Sequence, residues 1–144
     1  MRTIIKADAQ HAPAIYHLEN QLFTDSMSLD SILSSLDHDR IFVCVEKEQV
    51  IGYIWTTIAV NEMEILRIGV HPDFRRQGIA NHLLQAVFRD IDIDYCFLEV
   101  RKSNYAAQML YESCGFVIVG ERKSFYRNPT EDAILMKKSM ELQA

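Results

Sequence analysis

Three β-forming runs follow one another in the middle of the chain, and they constrain its fold more than any other feature. Residues 41–46, 50–60 and 62–70 are rich in β-branched and aromatic side chains, and only short turns separate them. Runs joined by such short turns pair as antiparallel strands. The third run ends at His71-Pro72-Asp73, because proline cannot donate to a strand ladder. The sequence therefore predicts an antiparallel meander that ends near residue 70.

Helical periodicity occurs on both sides of this meander. Four helices are predicted, over residues 11–23, 29–36 (with Ser28 as the N-terminal cap), 79–91 and 105–113. Further strands are predicted over residues 2–7, 95–100, 116–119 and 133–136, with a polar loop over residues 122–130. This order indicates an α/β fold, with a mixed, mostly antiparallel central sheet of about seven strands flanked by about four helices.

Composition and charge narrow the functional classes. The 144 residues contain no repeat or linker-like stretch, so we expect one domain over residues 1–144. A net charge of −5 disfavours nonspecific nucleic-acid binding and suits a basic partner. No apolar run reaches the roughly 20 residues of a membrane span, and residues 1–8 do not resemble a secretion signal. Three widely spaced cysteines fit a reducing compartment. We therefore expect a cytoplasmic protein that binds no membrane, no nucleic acid and no metal.

The sharpest local motif is Arg75-Arg76-Gln77-Gly78-Ile79-Ala80, between a strand end and a helix start. Backbone N–H groups at a helix N-terminus lack intrahelical partners and carry partial positive charge. Gly78 lets the backbone approach a ligand closely, and two arginines add positive charge. Such a site suits a pyrophosphate. The alternative is a plain turn whose arginines are solvated.

Glu99 interrupts an otherwise apolar strand, Phe97-Leu98-Glu99-Val100. An ionised carboxylate is costly to bury without partners, so this side chain either pairs with a cation or faces a cleft. In a cleft, partial desolvation raises the pKa of a carboxyl and makes it a better base near neutral pH. An ion pair with Arg101, on the same strand face, is the competing interpretation.

Asn104, Ala107 and Tyr111 fall on one face of the helix that follows this strand. That face places an amide at the helix start and a phenol further along it. Spacing alone favours a core tyrosine whose hydroxyl is satisfied.

Together these motifs resemble those of the GNAT acetyltransferase superfamily over nearly the whole chain. Residues 75–80 match its pyrophosphate motif, Gln/Arg-x-x-Gly-x-Gly/Ala, and a second motif is matched by Asn104, Ala107, Tyr111, Gly115 and Phe116. The resemblance implies the GNAT fold and acetyl-CoA as co-substrate. The cofactor-binding residues that it implies are Ile68, Gly69, Val70, Arg75, Arg76, Gln77, Gly78, Ile79, Ala80 and Asn104.

A narrower resemblance is to the bacterial ribosomal-protein-alanine N-acetyltransferases. It rests on the segments Leu98-Glu99-Val100-Arg101, Leu110-Tyr111-Glu112-Ser113 and Glu131-Asp132-Ala133-Ile134. It implies that Glu99 is the proton acceptor and Tyr111 the proton donor. The implied acceptor is the N-terminal alanine of a ribosomal protein, or another protein N-terminus, with a basic peptide expected. Candidate substrate contacts are Glu64, Phe125 and Tyr126, and Glu64 is also a second candidate base or a plain solvated glutamate.

The chain departs from that group on the acceptor side. Asp25-Ser26-Met27-Ser28 stands where the group usually has a Pro-Trp-Ser stretch, and the loop over residues 122–130 is short. Two other functions therefore stay open. One is an acetyltransferase that acts on a small-molecule amine or a protein lysine. The other is a noncatalytic acyl-CoA-binding module.

Overall fold

Strands and helices follow one another in the order that the sequence predicts. The computed structural model describes residues 1–140. The strands are β1 (Arg2–Lys6), β2 (Arg40–Glu46), β3 (Gln49–Ala59), β4 (Glu62–Val70), β5 (Tyr95–Arg101), β6 (Val117–Tyr126) and β7 (Glu131–Ser139). The helices are α1 (Ala12–Leu22), α2 (Leu29–Ser35), α3 (Ile79–Phe88) and α4 (Tyr105–Ser113). Short 3₁₀ turns at Ala9–His11 and Pro72–Phe74 precede α1 and α3.

The seven strands form one sheet in the order β1-β2-β3-β4-β5-β7-β6. The pairs β1–β2, β2–β3, β5–β7 and β6–β7 are antiparallel, whereas β4–β5 is parallel. A parallel pair needs a crossover connection, and α3 supplies it here. The predicted mixed, mostly antiparallel sheet with four helices is confirmed. No helix within residues 1–140 is long and apolar enough to span a membrane.

The chain divides into two compact units. Unit 1 comprises residues 1–57 and 66–91, and unit 2 comprises residues 58–65 and those from Asp92 onward. The core of unit 1 places the apolar stripes of α1 and α2 against β2 and β3. Its members, all buried, include Ile15, Leu18, Ile32, Val43 and Trp55. Ser28 caps α2 by accepting a hydrogen bond from the N–H of Ser31 at 3.1 Å, which confirms the predicted cap.

A buried ion pair joins α1 to β4 in unit 1. Glu19 is fully buried, and its Oε1 accepts a hydrogen bond from Nε of Arg67 at 3.0 Å. The same guanidinium stacks on Phe23 at 4.1 Å and donates to the carbonyl oxygen of Asp25 at 3.0 Å. The segment that departs from the resembled group is therefore held against β4 by Arg67.

Three predicted elements have wrong boundaries, one of them the last strand, which was predicted over residues 133–136 and extends from Glu131 to Ser139. The loop predicted over residues 122–130 begins instead at residue 127, because β6 continues through Tyr126. The extension is exposed on both faces and carries no apolar alternation, so only its pairing with β7 identifies it. The helix predicted to reach Ile91 ends at Phe88, where Arg89 adopts an extended backbone. The side chain of Arg40 caps this end of the helix, because it donates hydrogen bonds to the carbonyl oxygens of Val87 and Arg89, at 2.9 and 2.8 Å.

Candidate active site

The Arg75–Ala80 turn connects β4 to α3 within unit 1. Beyond Val70 the chain leaves the sheet at His71, whose N–H donates to the carbonyl oxygen of Ile51 at 2.8 Å. The imidazole Nδ1 of His71 then accepts a hydrogen bond from the N–H of Asp73 at 3.1 Å, which fixes the 3₁₀ turn. Within the turn, Arg75 and Arg76 are exposed. The turn therefore presents two cations beside the start of α3.

Gly78 is the N-cap of α3 and has left-handed backbone angles, φ 77° and ψ 11°. An added Cβ would meet only Cε1 of His82, at 4.0 Å, so the space in front of this helix start is open. No side chain within residues 1–140 caps the helix. Backbone N–H groups at such an end carry partial positive charge and suit an anion.

The side chain of Gln77 accepts a hydrogen bond from a residue at the start of the chain. Arg2 donates a hydrogen bond from Nη2 to Oε1 of Gln77, and its Nε donates to Glu46 at 3.0 Å. The guanidinium also lies 5.9 Å from the ring centre of Phe74. Arg2 thus contacts two residues of this region, Phe74 and Gln77, and no local motif predicts it.

Gly69, on β4, leaves room for the buried ring of Tyr53. An added Cβ there would lie 2.6 Å from Cε1 of Tyr53, so any larger residue would displace that buried ring. Ile68 and Val70, on either side, are half-buried. The structure thus places all but one of the proposed cofactor contacts in unit 1.

Asn104, the remaining proposed cofactor contact, lies in unit 2. Its Oδ1 accepts a hydrogen bond from the N–H of Ala107 at 3.1 Å and so caps α4. The helix ends before Gly115, whose φ of 98° suits glycine. The second motif of the resemblance therefore defines both ends of α4.

Glu99 lies on β5 in unit 2 and is half-buried. Its Oε2 is buried and has no hydrogen-bond partner within residues 1–140. Burial raises the pKa of this carboxyl, the Arg122 guanidinium opposes that rise, and the charge of Glu64 adds to it. The competing ion pair with Arg101 is wrong, because Arg101 contacts Glu131 at 3.3 Å instead. The raised pKa makes this carboxyl a stronger base than a solvent-exposed glutamate.

Tyr111 lies on α4, half-buried, with its ring 5.8 Å from that of Phe116 in an edge arrangement. Burial raises the pKa of its phenol, and neighbouring Tyr126 raises it further. The phenol is therefore protonated throughout the physiological pH range and can donate a hydrogen bond.

The three candidate substrate contacts also lie in unit 2. Glu64 is exposed, as expected of a solvated glutamate, and is paired in register with Phe97 across β4–β5. Phe125 is exposed and Tyr126 is half-buried, with their rings 5.0 Å apart. The charges of Glu64 and Tyr126 act on Glu99 and Tyr111 respectively. Unit 2 thus brings both proposed proton-transfer groups together with candidate acceptor contacts.

Sequence reasoning missed Arg122, whose charge acts on Glu99. It lay in the segment predicted as a loop, so no strand register connected it with β5. Among the described residues, no three or more His, Cys, Asp or Glu side chains lie in a group that could bind a metal ion.

Comparison with known proteins assigns the family. Residues 10–116 match the acetyltransferase (GNAT) family. The chain is 31% identical to the ribosomal protein bS18-alanine N-acetyltransferase of Escherichia coli strain K12, over 94% of this chain and 96% of that protein. It is 35% identical to an N-alpha-acetyltransferase of Saccharolobus solfataricus, over 69% and 68% of the two chains.

A solved structure agrees over the full length. The crystal structure of the ribosomal-protein-S18-alanine N-acetyltransferase from Escherichia coli superposes with a TM-score of 0.91 at 29% identity. The match covers 100% of this chain and 97% of that one. The chain therefore belongs to the acetyltransferase (GNAT) family of enzymes.

Proposed function

We propose that this chain, acting as a single catalytic domain, transfers the acetyl group of acetyl-CoA to the N-terminal amine of a protein. The first acceptor to test is the N-terminal alanine of a ribosomal protein. The observation that carries the proposal is Glu99, a half-buried carboxyl with a raised pKa, whose Oε2 has no hydrogen-bond partner among the described residues. The two relatives at 31% and 35% identity, both named for N-terminal or alanine acetylation, support this acceptor class.

The Arg75–Ala80 turn fits the diphosphate of acetyl-CoA. Its helix start has open space at Gly78 and no capping side chain within residues 1–140. Arg75 and Arg76 supply positive charge beside it. We propose that these residues hold the diphosphate, while Ile68, Gly69, Val70 and Asn104 contact the rest of the cofactor. The bound cofactor supplies the acetyl thioester.

Two side chains of unit 2 accept and donate the protons that the transfer requires. Glu99, directly or through water, accepts the proton that the amine loses as its nitrogen attacks the thioester carbonyl. The C–N bond forms, the C–S bond breaks, and the sulfur takes a proton from Tyr111. Complete transfer from an ordinary phenol to a thiolate is uphill by roughly 2 kcal/mol, and burial of Tyr111 adds to this. Tyr111 therefore donates a hydrogen bond to the departing sulfur, and its proton moves only as the C–S bond breaks. The phenolate then regains a proton from solvent and Glu99 releases its proton to solvent, which restores both groups.

The free energy needed to deprotonate the acceptor favours an N-terminal amine over a lysine. At pH 7, deprotonating an α-amine of pKa about 7.8 costs roughly 1 kcal/mol, against about 4.6 kcal/mol for a lysine side chain. A single carboxylate base meets the smaller cost more readily. The acidic pair of Glu64 and Glu99 also suits a cationic acceptor.

Mass spectrometry of peptides incubated with acetyl-CoA tests this function. The panel is a basic peptide that begins with alanine, the same peptide with a blocked N-terminus and an internal lysine, and a polyamine. We expect one acetyl group, on the free N-terminus only. Acetylation of the blocked peptide or the polyamine at an equal rate would assign the enzyme to lysines or small amines. Binding of acetyl-CoA without transfer to any amine would instead indicate a noncatalytic module.

A further inference from the structure

Arg101 directs its guanidinium at the β6–β7 connection, not at Glu99. Its Nη1 donates to the carbonyl oxygen of Pro129 and its Nη2 to that of Arg127, both at 2.9 Å. Its Cζ lies 4.5 Å from the ring centre of Tyr126. One side chain on β5 thus contacts the end of β6 and two points of the following turn, over residues 127–130.

Glu131 anchors this guanidinium from the other side of the turn. Its Oε1 lies 3.3 Å from Nη1 of Arg101, and its Oε2 accepts a hydrogen bond from the N–H of Ser103 at 2.6 Å. The hydrogen bonds from Ser103, with those from Arg101, lower the pKa of Glu131 and keep it ionised. The planar fork of arginine is suited to several acceptors and one aromatic face at once, and lysine is not.

We infer that Arg101 is a positioning residue for the acceptor: it holds Tyr126 and the turn over residues 127–130 in the arrangement that receives the peptide. The inference rests on the proposed function, in which Phe125 and Tyr126 contact the acceptor. Arg101 lies two residues beyond Glu99 on β5. The strand that carries the proposed base therefore also fixes the proposed acceptor contacts, through side chains of unit 2 alone.

This arrangement predicts a specific kinetic signature for Arg101→Met, which keeps the apolar stem but removes the fork. A turn released from its anchor must be ordered again whenever a peptide binds. We expect KM for the acceptor peptide to rise by about tenfold or more. Glu99 and Tyr111 are untouched and the diphosphate turn belongs to unit 1, so kcat and the Kd for acetyl-CoA should change by less than about twofold. Arg101→Lys should restore only part of the peptide affinity.

Arg40→Met is the matched control, because Arg40 makes the same kinds of contact elsewhere. It donates to two carbonyl oxygens, those of Val87 and Arg89, and lies 4.9 Å over Phe42. All of these residues belong to unit 1. If Arg101→Met acted only by lowering the stability of the protein, its peptide KM would change as in Arg40→Met at an equal loss of Tm.

Hydrogen exchange supplies a readout that does not depend on catalysis. In full-length Arg101→Met, we expect faster amide exchange confined to fragments that cover residues 122–132. Unchanged exchange there, or a peptide KM that moves no more than in Arg40→Met, would overturn the role of Arg101. Wild-type protein that acetylates no peptide N-terminus contradicts the proposed function instead, and the exchange result still decides whether Arg101 holds the turn.

Discussion

At the scale of single residues, Glu99 carries the proposed mechanism, and its buried Oε2 has no hydrogen-bond partner in the part of the chain that the structure describes. Glu99 shares its face of β5 with Arg101, yet the arginine is engaged by Glu131 and the β6–β7 turn. Burial raises the pKa of Glu99 most. The positive charge of Arg122 lowers this pKa, and the negative charge of Glu64 raises it. The structure thus pairs Arg101 with Glu131 and leaves the pKa of Glu99 raised, as the proposed role of a base requires.

Replacing Glu99 by glutamine removes the base while keeping the shape. We expect Glu99→Gln to lower kcat by about a hundredfold or more, with little change in acetyl-CoA affinity, because the diphosphate turn lies in unit 1. Steady-state kinetics and calorimetric titration measure the two quantities. Glu112→Gln, at an exposed position of α4, serves as the control and should match wild type. Equal kcat in Glu99→Gln across the pH range would remove Glu99 from the mechanism.

The neighbours of Glu99 predict opposite shifts in the pH profile of kcat. The base works when deprotonated, so the rate falls as the pH drops through its pKa. Arg122→Met removes the cation that lowers this pKa and should move the acid limb to higher pH. Glu64→Gln removes the like charge that raises it and should move the limb to lower pH. Shifts of the same sign in both variants would contradict the assignment.

At the scale of elements, the turn that opens α3 and the register of β6 show what a sequence pattern can and cannot predict. The Arg75–Ala80 turn was predictable because a strand end, a glycine and a helical stripe lie in contiguous sequence. The tail of β6 was not, because residues 122–126 carry no alternation and take their strand conformation from β7. The neighbour of Glu99 on that tail, Arg122, escaped prediction for the same reason.

The left-handed glycine at the start of α3 gives a test of the turn. Gly78→Ala forces an alanine to a φ of 77°, which costs roughly 1 kcal/mol or more. The added methyl also enters the space where the diphosphate is proposed to lie. We expect the Kd for acetyl-CoA to rise by about tenfold. Gly120→Ala is the control, since within residues 1–140 no atom beyond its two chain neighbours lies within 4 Å of the added Cβ. Equal affinities in the two variants would show that the turn does not bind the cofactor.

At the scale of the whole molecule, the sequence predicts the order of strands in the meander. It does not predict the division of the chain into two compact units. Short turns between Ile41 and Val70 leave few ways to connect the strands, so the meander followed from the sequence. Two boundaries between the two units fall within β3 and β4, where the sequence has no linker and no change in composition. Long-range partners such as Arg67 for Glu19, or Glu131 for Arg101, likewise require the folded chain, because 48 and 30 residues separate them.

Calorimetric titration of the wild-type protein with acetyl-CoA measures whether this chain binds the acetyl donor. We expect saturable heat at one site per chain, retained when Glu99 is replaced by glutamine and weakened in Gly78→Ala. Absence of saturable heat with wild-type protein would contradict the proposed function, since no assignment of base, donor or acceptor survives without the acetyl donor.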